Sequence, residues 1–136
     1  MKDIAYYYAL PDSMHKAELY SEFLEVVNCF ERLGCTAAVF LNAVSELSER
    51  QWHTYTILPE DLRRRVEVSL LSCWDGHDLE TAEKTICVAA QLGLEGLFTY
   101  VCSQSDDSLS PEVALEIRSA LSEFGCSISD PFSGIR

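Results

Sequence analysis

The chain has 136 residues, 48% of them hydrophobic, and its 22 acidic residues outnumber its 10 basic residues, for a formal net charge of −12. This length and apolar content predict one domain with its own core, which excludes a disordered acidic tail. The acidity disfavours binding to nucleic acid or to an anionic membrane, and it favours a basic partner.

Neither a signal peptide nor a membrane span is expected. Residues 1–6 lack a basic segment followed by a long apolar stretch, and no apolar run reaches about 18 residues. We therefore expect a cytoplasmic protein. In that compartment the six cysteines should be reduced, and most should serve as small buried hydrophobic residues.

The first predicted elements are a strand and a long helix. Residues 4–10 contain three consecutive tyrosines and end before Pro11, a pattern typical of a strand. A helix should then begin after Asp12 or Ser13 and continue to about Leu33, because its apolar residues recur at helical spacing.

A helical stretch is followed by a glycine, and then by a short β-like run, at three places in the chain. Glycine suits the position after a helix because it adopts the left-handed conformation without a steric clash. The pattern predicts helices packed on a sheet. The glycines are Gly34, Gly93 and Gly125, and the β-like runs cover residues 36–41, 97–102 and 126–129.

The second half of the chain contains the clearest helix boundaries. One helix is predicted over residues 79–92, with Asp78 as its N-cap. Another has Ser110 as its N-cap, Pro111 in its first position and Gly125 at its end.

The middle of the chain is read as two strands. Residues 52–58 alternate loosely, and residues 66–73 begin with a clearer alternation of apolar and polar side chains. One helix over residues 59–73 is the competing interpretation, and residues 43–50 form a helical turn or a loop. Together the elements predict a single α+β domain over residues 1–136, a mixed sheet covered by about three helices.

Motifs for catalysis and for cofactor or metal binding are lacking. The densest group of ligand types lies at residues 73–78, but Asp75 and Gly76 signal a turn and Asp78 a helix cap. No phosphate-binding loop or nucleophile motif is present. We therefore expect no catalytic residues, no cofactor and no metal, with an enzyme that joins a cysteine and a histidine in space as an alternative.

Acidic and aromatic residues are the candidates for partner binding. Tyrosine and tryptophan anchor interfaces, and carboxylates attract a basic protein. If the acidic loops share an edge, they form a negative patch around aromatic anchors; the alternative is an acidic surface without a site. The candidates are Glu46, Glu49, Trp52, Trp74, Asp75, Asp78, Glu80, Glu83, Asp106 and Asp107.

The last third of the chain resembles a family of small bacterial domains of unknown function. The resemblance is carried by residues 97–101, by the helix start Leu109-Ser110-Pro111-Glu112 and by the helix end and following residues, 120–128. Members of that family are often suspected immunity proteins of bacterial toxin systems. The resemblance implies no particular functional residues.

These observations favour a binding protein without catalysis: an immunity protein or antitoxin that occludes the active site of a basic toxin, such as a nuclease. The partner would be the cognate toxin domain, with no nucleic acid and no membrane, and homo-oligomers are left open. A small acidic chaperone or adaptor of a secretion system is the alternative binding function.

Overall fold

The structure, a computed structural model, describes residues 2–124, and within them it contains α-helices and no β-strand. A short 3-10 turn, Asp106–Ser108, precedes the last helix. The helices are α1 (Ile4–Tyr8), α2 (Lys16–Glu31), α3 (Ala37–Trp52), α4 (Glu60–Cys73), α5 (Leu79–Leu92), α6 (Glu95–Cys102) and α7 (Pro111–Phe124).

The prediction of an α+β fold with a mixed sheet is therefore wrong. The supposed strand at 4–10 contains α1, in which Tyr7 is completely buried. The runs at 36–41 and 97–102 belong to α3 and α6, and 43–50 lies within α3. Burial against other helices outweighs the weak β-propensity of these short aromatic and branched stretches. The predicted strand at 126–129 lies outside the described residues.

The two supposed strands in the middle are also incorrect. Residue 52 ends α3, and residues 53–58 form the loop that follows. Residues 66–73 belong to α4, so the competing helix is the correct interpretation. In a strand, Val66 and Val68 would lie on the same face. Val66 is fully buried, but Val68 is 60% exposed, which contradicts a strand. The buried positions recur at helical spacing: Leu62, Val66, Ser69, Leu70 and Cys73.

The predicted helices in the second half are confirmed. α5 spans the predicted residues, and the Asp78 carboxylate accepts a hydrogen bond from the N–H of Glu80 over 3.2 Å. Gly93 follows in the left-handed conformation, with a φ of 69°. α7 begins as predicted, with the Ser110 hydroxyl accepting from the N–H of Val113 over 3.3 Å. Its predicted end at Gly125 lies outside the described residues.

The first long helix is shorter than predicted. His15, rather than Asp12 or Ser13, is the N-cap of α2, and its Nδ1 accepts a hydrogen bond from the N–H of Ala17 over 3.1 Å. The helix ends at Glu31, and Leu33 adopts the left-handed conformation before Gly34.

The helices pack in two layers. α2, α4 and α6 neighbour one another in the first layer, and α3, α5 and α7 do so in the second, while α1 packs on α3. Successive helices from α2 to α7 therefore alternate between the two layers. This is how arrays of helical hairpins bury one continuous core between their layers.

The core continues from Tyr7 to Ala120 without a break. The rings of Phe30 and Phe40 stack at 4.3 Å between α2 and α3. Among the helices of the described part of the chain, none has the length and hydropathy needed to cross a bilayer.

Candidate partner-binding surface

The loop between α4 and α5 lies directly against the loop between α6 and α7. The N–H of Ser110 donates a hydrogen bond to the carbonyl oxygen of Gly76 over 2.9 Å. A Cβ atom at Gly76 would lie 2.7 Å from the carbonyl oxygen of Ser108. Because glycine has no Cβ atom, it lets the two backbones approach this closely.

Four predicted partner-binding aspartates lie on this shared loop edge. Asp75 accepts a hydrogen bond from the N–H of His77 over 2.9 Å, and Asp78 caps α5. Asp106 pairs with Arg118 over 3.2 Å. These three carboxylates therefore stabilise the loops locally, and the ion pair with Arg118 partly compensates the charge of Asp106. We call the set the loop edge: Asp75, Asp78, Asp106 and Asp107.

The two predicted aromatic anchors are not brought together. Trp74 is half-buried and packs against the core beside the loop edge. Trp52 lies at the C-terminal end of α3, where its ring centroid is 5.6 Å from that of His53. Trp74 comes just before α5 begins, whereas Trp52 lines the same surface groove as Ala90 and Gln91 near the end of α5, so the two tryptophans lie toward opposite ends of that helix.

Two of the predicted glutamates form ion pairs with basic residues of their own helices. Glu46 pairs with Arg50 over 3.2 Å, and Glu80 pairs with Lys84 over 2.9 Å, each at i,i+4 spacing. Their negative charge is therefore partly compensated, which reduces what they can contribute to a partner.

The other predicted residues of α3 and α5 border a groove across the second helical layer. Its volume is ≈ 450 Å³, and its walls come from the end of α3 and from α7, with α5 between them. Every charged side chain that the described residues contribute to its lining is a glutamate. We call it the acidic groove; it is lined by Trp52, Glu83, Ile86, Cys87, Ala90, Gln91, Glu116 and Glu123.

The carboxylates of the acidic groove have no basic partner in the part of the chain that the structure describes. Glu83, Glu116 and Glu123 form no ion pair with any basic group among residues 2–124. Desolvation by neighbouring side chains, and then the charge of Glu49, raise the pKa of the exposed Cys87 thiol, which indicates that Glu49 also lies near the groove. The site therefore combines an apolar floor with a rim of negatively charged side chains.

Glu116 and Glu123 are functional candidates that the sequence analysis missed. They lie seven residues apart, which places them on the same face of α7. That spacing is visible in the sequence. What the sequence does not show is that this face lies beside Cys87 and Ala90 of α5, since that depends on how α5 and α7 pack.

A smaller polar cleft of ≈ 240 Å³ lies at the start of α6. Its basic residues are Arg63 and Arg64, but a carboxylate of the protein already binds the adjacent start of α6. The Glu67 carboxylate accepts a hydrogen bond from the N–H of Leu97 over 3.0 Å. The cleft therefore offers a weaker case for an external anion than its arginines suggest.

The cysteines differ in their surroundings. Five free thiols lie among the described residues, of which Cys73 is buried and Cys87 is exposed. Burial, with the neighbouring Cys29 thiol, raises the pKa of Cys35 to about 11, and burial also raises the pKa of Cys102. These thiols are protonated at neutral pH and are weak nucleophiles in that state.

Two histidines take part in local hydrogen bonds. The His15 imidazole caps α2, and the backbone N–H of His77 donates to the Asp75 carboxylate. No group of three or more histidine, cysteine or acidic side chains within residues 2–124 is arranged to hold a metal ion.

Comparisons with protein-family models, with curated proteins and with solved structures find no match to this chain.

Proposed function

We propose that this protein is a binding protein without catalysis, an immunity protein or antitoxin that neutralises a basic toxin domain. The observation that carries the proposal is the acidic groove, whose glutamates have no ion-pair partner among the described residues. Unpaired surface carboxylates on a chain of net charge −12 are suited to a cationic protein surface.

The inhibitory mechanism would be occlusion. Many basic enzymes, nucleases among them, bind their polyanionic substrate in a cleft lined by lysine and arginine. Glutamates on a helical scaffold would stand where the substrate's phosphates stand and would make charge-assisted hydrogen bonds to those side chains. The complementary fields would also speed the encounter.

The loop edge is a second feature that supports the same function. Asp75 and Asp78 accept hydrogen bonds from backbone N–H groups, so their charges are fixed in position before a partner arrives. Fixed charges reduce the ordering cost of association.

The test is co-expression with the open reading frame adjacent to this protein's gene. We expect the neighbour's product to stop growth when expressed alone and to be harmless when this protein is present. A neighbour that is harmless by itself, or whose toxicity is unchanged by this protein, would contradict the proposal. Direct association of the two purified proteins completes the test, because rescue could otherwise arise indirectly.

A further inference from the structure

The floor of the acidic groove is apolar and low. Ile86 is 4% exposed and closes the bottom, while the small side chains of Cys87 and Ala90 leave room above α5. An apolar floor of this kind is stabilised when another apolar surface covers it.

The charges are arranged along the edges of that floor. Glu83 lies on α5, and Glu116 and Glu123 lie on α7, two helical turns apart. Seven residues of an α-helix correspond to a rise of about 10.5 Å. Basic residues seven positions apart on another helix have the same spacing.

We propose that the acidic groove binds an amphipathic basic α-helix of the partner protein. The apolar face of that helix would cover Ile86, Cys87 and Ala90, and lysine or arginine side chains at its edges would pair with the groove's glutamates. The inference rests on the proposed function and adds to it the site and the chemistry of the bound segment.

Charge complementarity decides between this occupant and others. A nucleic acid would bring phosphates against uncompensated carboxylates, which repel them. A second copy of this chain would also bring a net charge of −12 to the groove. A basic amphipathic helix supplies both positive charge for the glutamates and an apolar face that covers the apolar floor.

The backbone decides between a helix and a strand as the bound element. Within residues 2–124 every regular element is helical, so this part of the chain presents no sheet edge on which an extended peptide could form a ladder. An amphipathic helix seated between helices requires no such edge.

The first experiment measures the affinity of a fluorescent helical peptide of about five turns, with leucine on one face and lysine on the other. The protein is compared with its E83Q/E116Q/E123Q variant by fluorescence anisotropy. We expect the variant to bind about tenfold more weakly.

The matched control removes three carboxylates elsewhere. Asp12, Glu18 and Asp61 are exposed and lie outside the groove lining. D12N/E18Q/D61N should therefore change the affinity by about twofold or less, because the only effect left is long-range attraction. Equal weakening by both triple variants would show general attraction to a polyanion and would overturn the proposal.

The second experiment uses Cys87 as a reporter within the groove. This exposed thiol is alkylated with N-ethylmaleimide, and its rate is followed by mass spectrometry with and without saturating peptide. We expect bound peptide to slow the reaction of Cys87 about tenfold while leaving partly exposed Cys102 unchanged. An unchanged rate at Cys87 would place the peptide elsewhere and contradict the inference.

A second peptide tests the apolar contact. It carries the same lysines, but serine replaces leucine. We expect weak binding and no protection of Cys87, since the floor then gains no apolar cover. Equal binding and protection by this peptide would contradict the proposed role of the floor.

A substitution that fills the groove tests whether a second copy of this chain binds there instead. A90R places a bulky cation above the floor, whereas A38R adds the same side chain at an exposed position of α3. Only A90R should abolish peptide binding. A dimer of the wild-type chain that A90R dissociates would assign the groove to a second copy and overturn the proposal.

The two proposals fail in different ways. If E83Q/E116Q/E123Q neutralises the neighbour's product as well as the wild-type chain does, the groove assignment fails and the immunity function stands. If the peptide binds and protects Cys87 but the neighbour's product is harmless by itself, the immunity function fails and the groove assignment stands.

Discussion

The Glu67 carboxylate on α4 accepts a hydrogen bond from the backbone N–H of Leu97 on α6 over 3.0 Å. This contact satisfies one of the free N–H groups at the start of α6 and ties two neighbouring helices of the first layer together. Gly96 leaves space for it, since a Cβ there would lie 3.1 Å from the Glu67 Oε2 atom.

Glu67→Ala should lower the free energy of unfolding by about 1–2 kcal/mol, because the helix loses both its cap and a favourable charge. Urea unfolding followed by circular dichroism measures the change. Glu60→Ala removes an exposed carboxylate paired with Arg64 at 3.6 Å and should cost less than about 0.5 kcal/mol. Equal losses in the two variants would argue against a capping role for Glu67.

Arg50 is the side chain that fastens the N-terminal segment to α3. It is 6% exposed, and its guanidinium donates to the carbonyl oxygens of Leu10 over 2.9 Å and Pro11 over 3.0 Å. Arg50→Met should lower the free energy of unfolding by about 3 kcal/mol, since those carbonyls lose their donors. The measurement is again urea unfolding, and the exposed Arg64→Met serves as control, with an expected change below about 0.5 kcal/mol.

Leu33 is strained, with a φ of 60° and 91% of its surface exposed. Leu33→Gly should therefore raise the free energy of unfolding by about 1 kcal/mol. The same substitution at Leu115, which is 62% exposed within α7, should lower it by about 1 kcal/mol. Destabilisation by both substitutions would show that Leu33 makes a stabilising contact that outweighs its backbone strain.

Stability should fall at high pH through Tyr7. Burial raises the pKa of this phenol to about 12, whereas an unfolded tyrosine titrates near 10. The contribution of Tyr7 to the free energy of unfolding is therefore complete below about pH 10. It is lost as the pH rises through the folded pKa, because the phenol of the unfolded chain loses its proton first. Thermal unfolding across this range should show a steeper decline for the wild-type chain than for Tyr7→Phe.

The control for this pH dependence is Tyr8→Phe. Tyr8 is 54% exposed on the same short helix. Its substitution should leave the wild-type slope in place. Tyr7→Phe also removes an acceptor for the Lys2 N–H, at 3.3 Å, so the decisive quantity is the slope with pH and not the absolute melting temperature. Identical slopes in all three proteins would contradict the role of Tyr7.

α5 and the start of α7 could be predicted from their caps, whereas the absence of a sheet among the described residues could not. Asp78 and Gly93 bound α5 because capping is decided locally. Val66 and Val68 resemble alternate positions of a strand, but only Val66 faces the core. Which face of a short apolar segment is buried depends on distant helices, and the short-range pattern does not contain that information.

The candidate site divides in a similar way. The neutralising partners of Glu46 and Glu80 lie four residues along the same helix and are readable from the sequence. The proximity of Glu83 to Glu116 depends instead on the packing of α5 against α7. Sequence reasoning could therefore name acidic residues, but it could not select those that share a groove.

The most direct test of the central claim is the rate at which this protein associates with the purified product of the adjacent gene, measured by stopped flow over increasing ionic strength. We predict a rate that falls steeply with salt for the wild-type chain and for D12N/E18Q/D61N, and a slower, less salt-dependent rate for E83Q/E116Q/E123Q. A rate that does not change with salt, or a groove variant indistinguishable from the wild-type chain, would contradict the account.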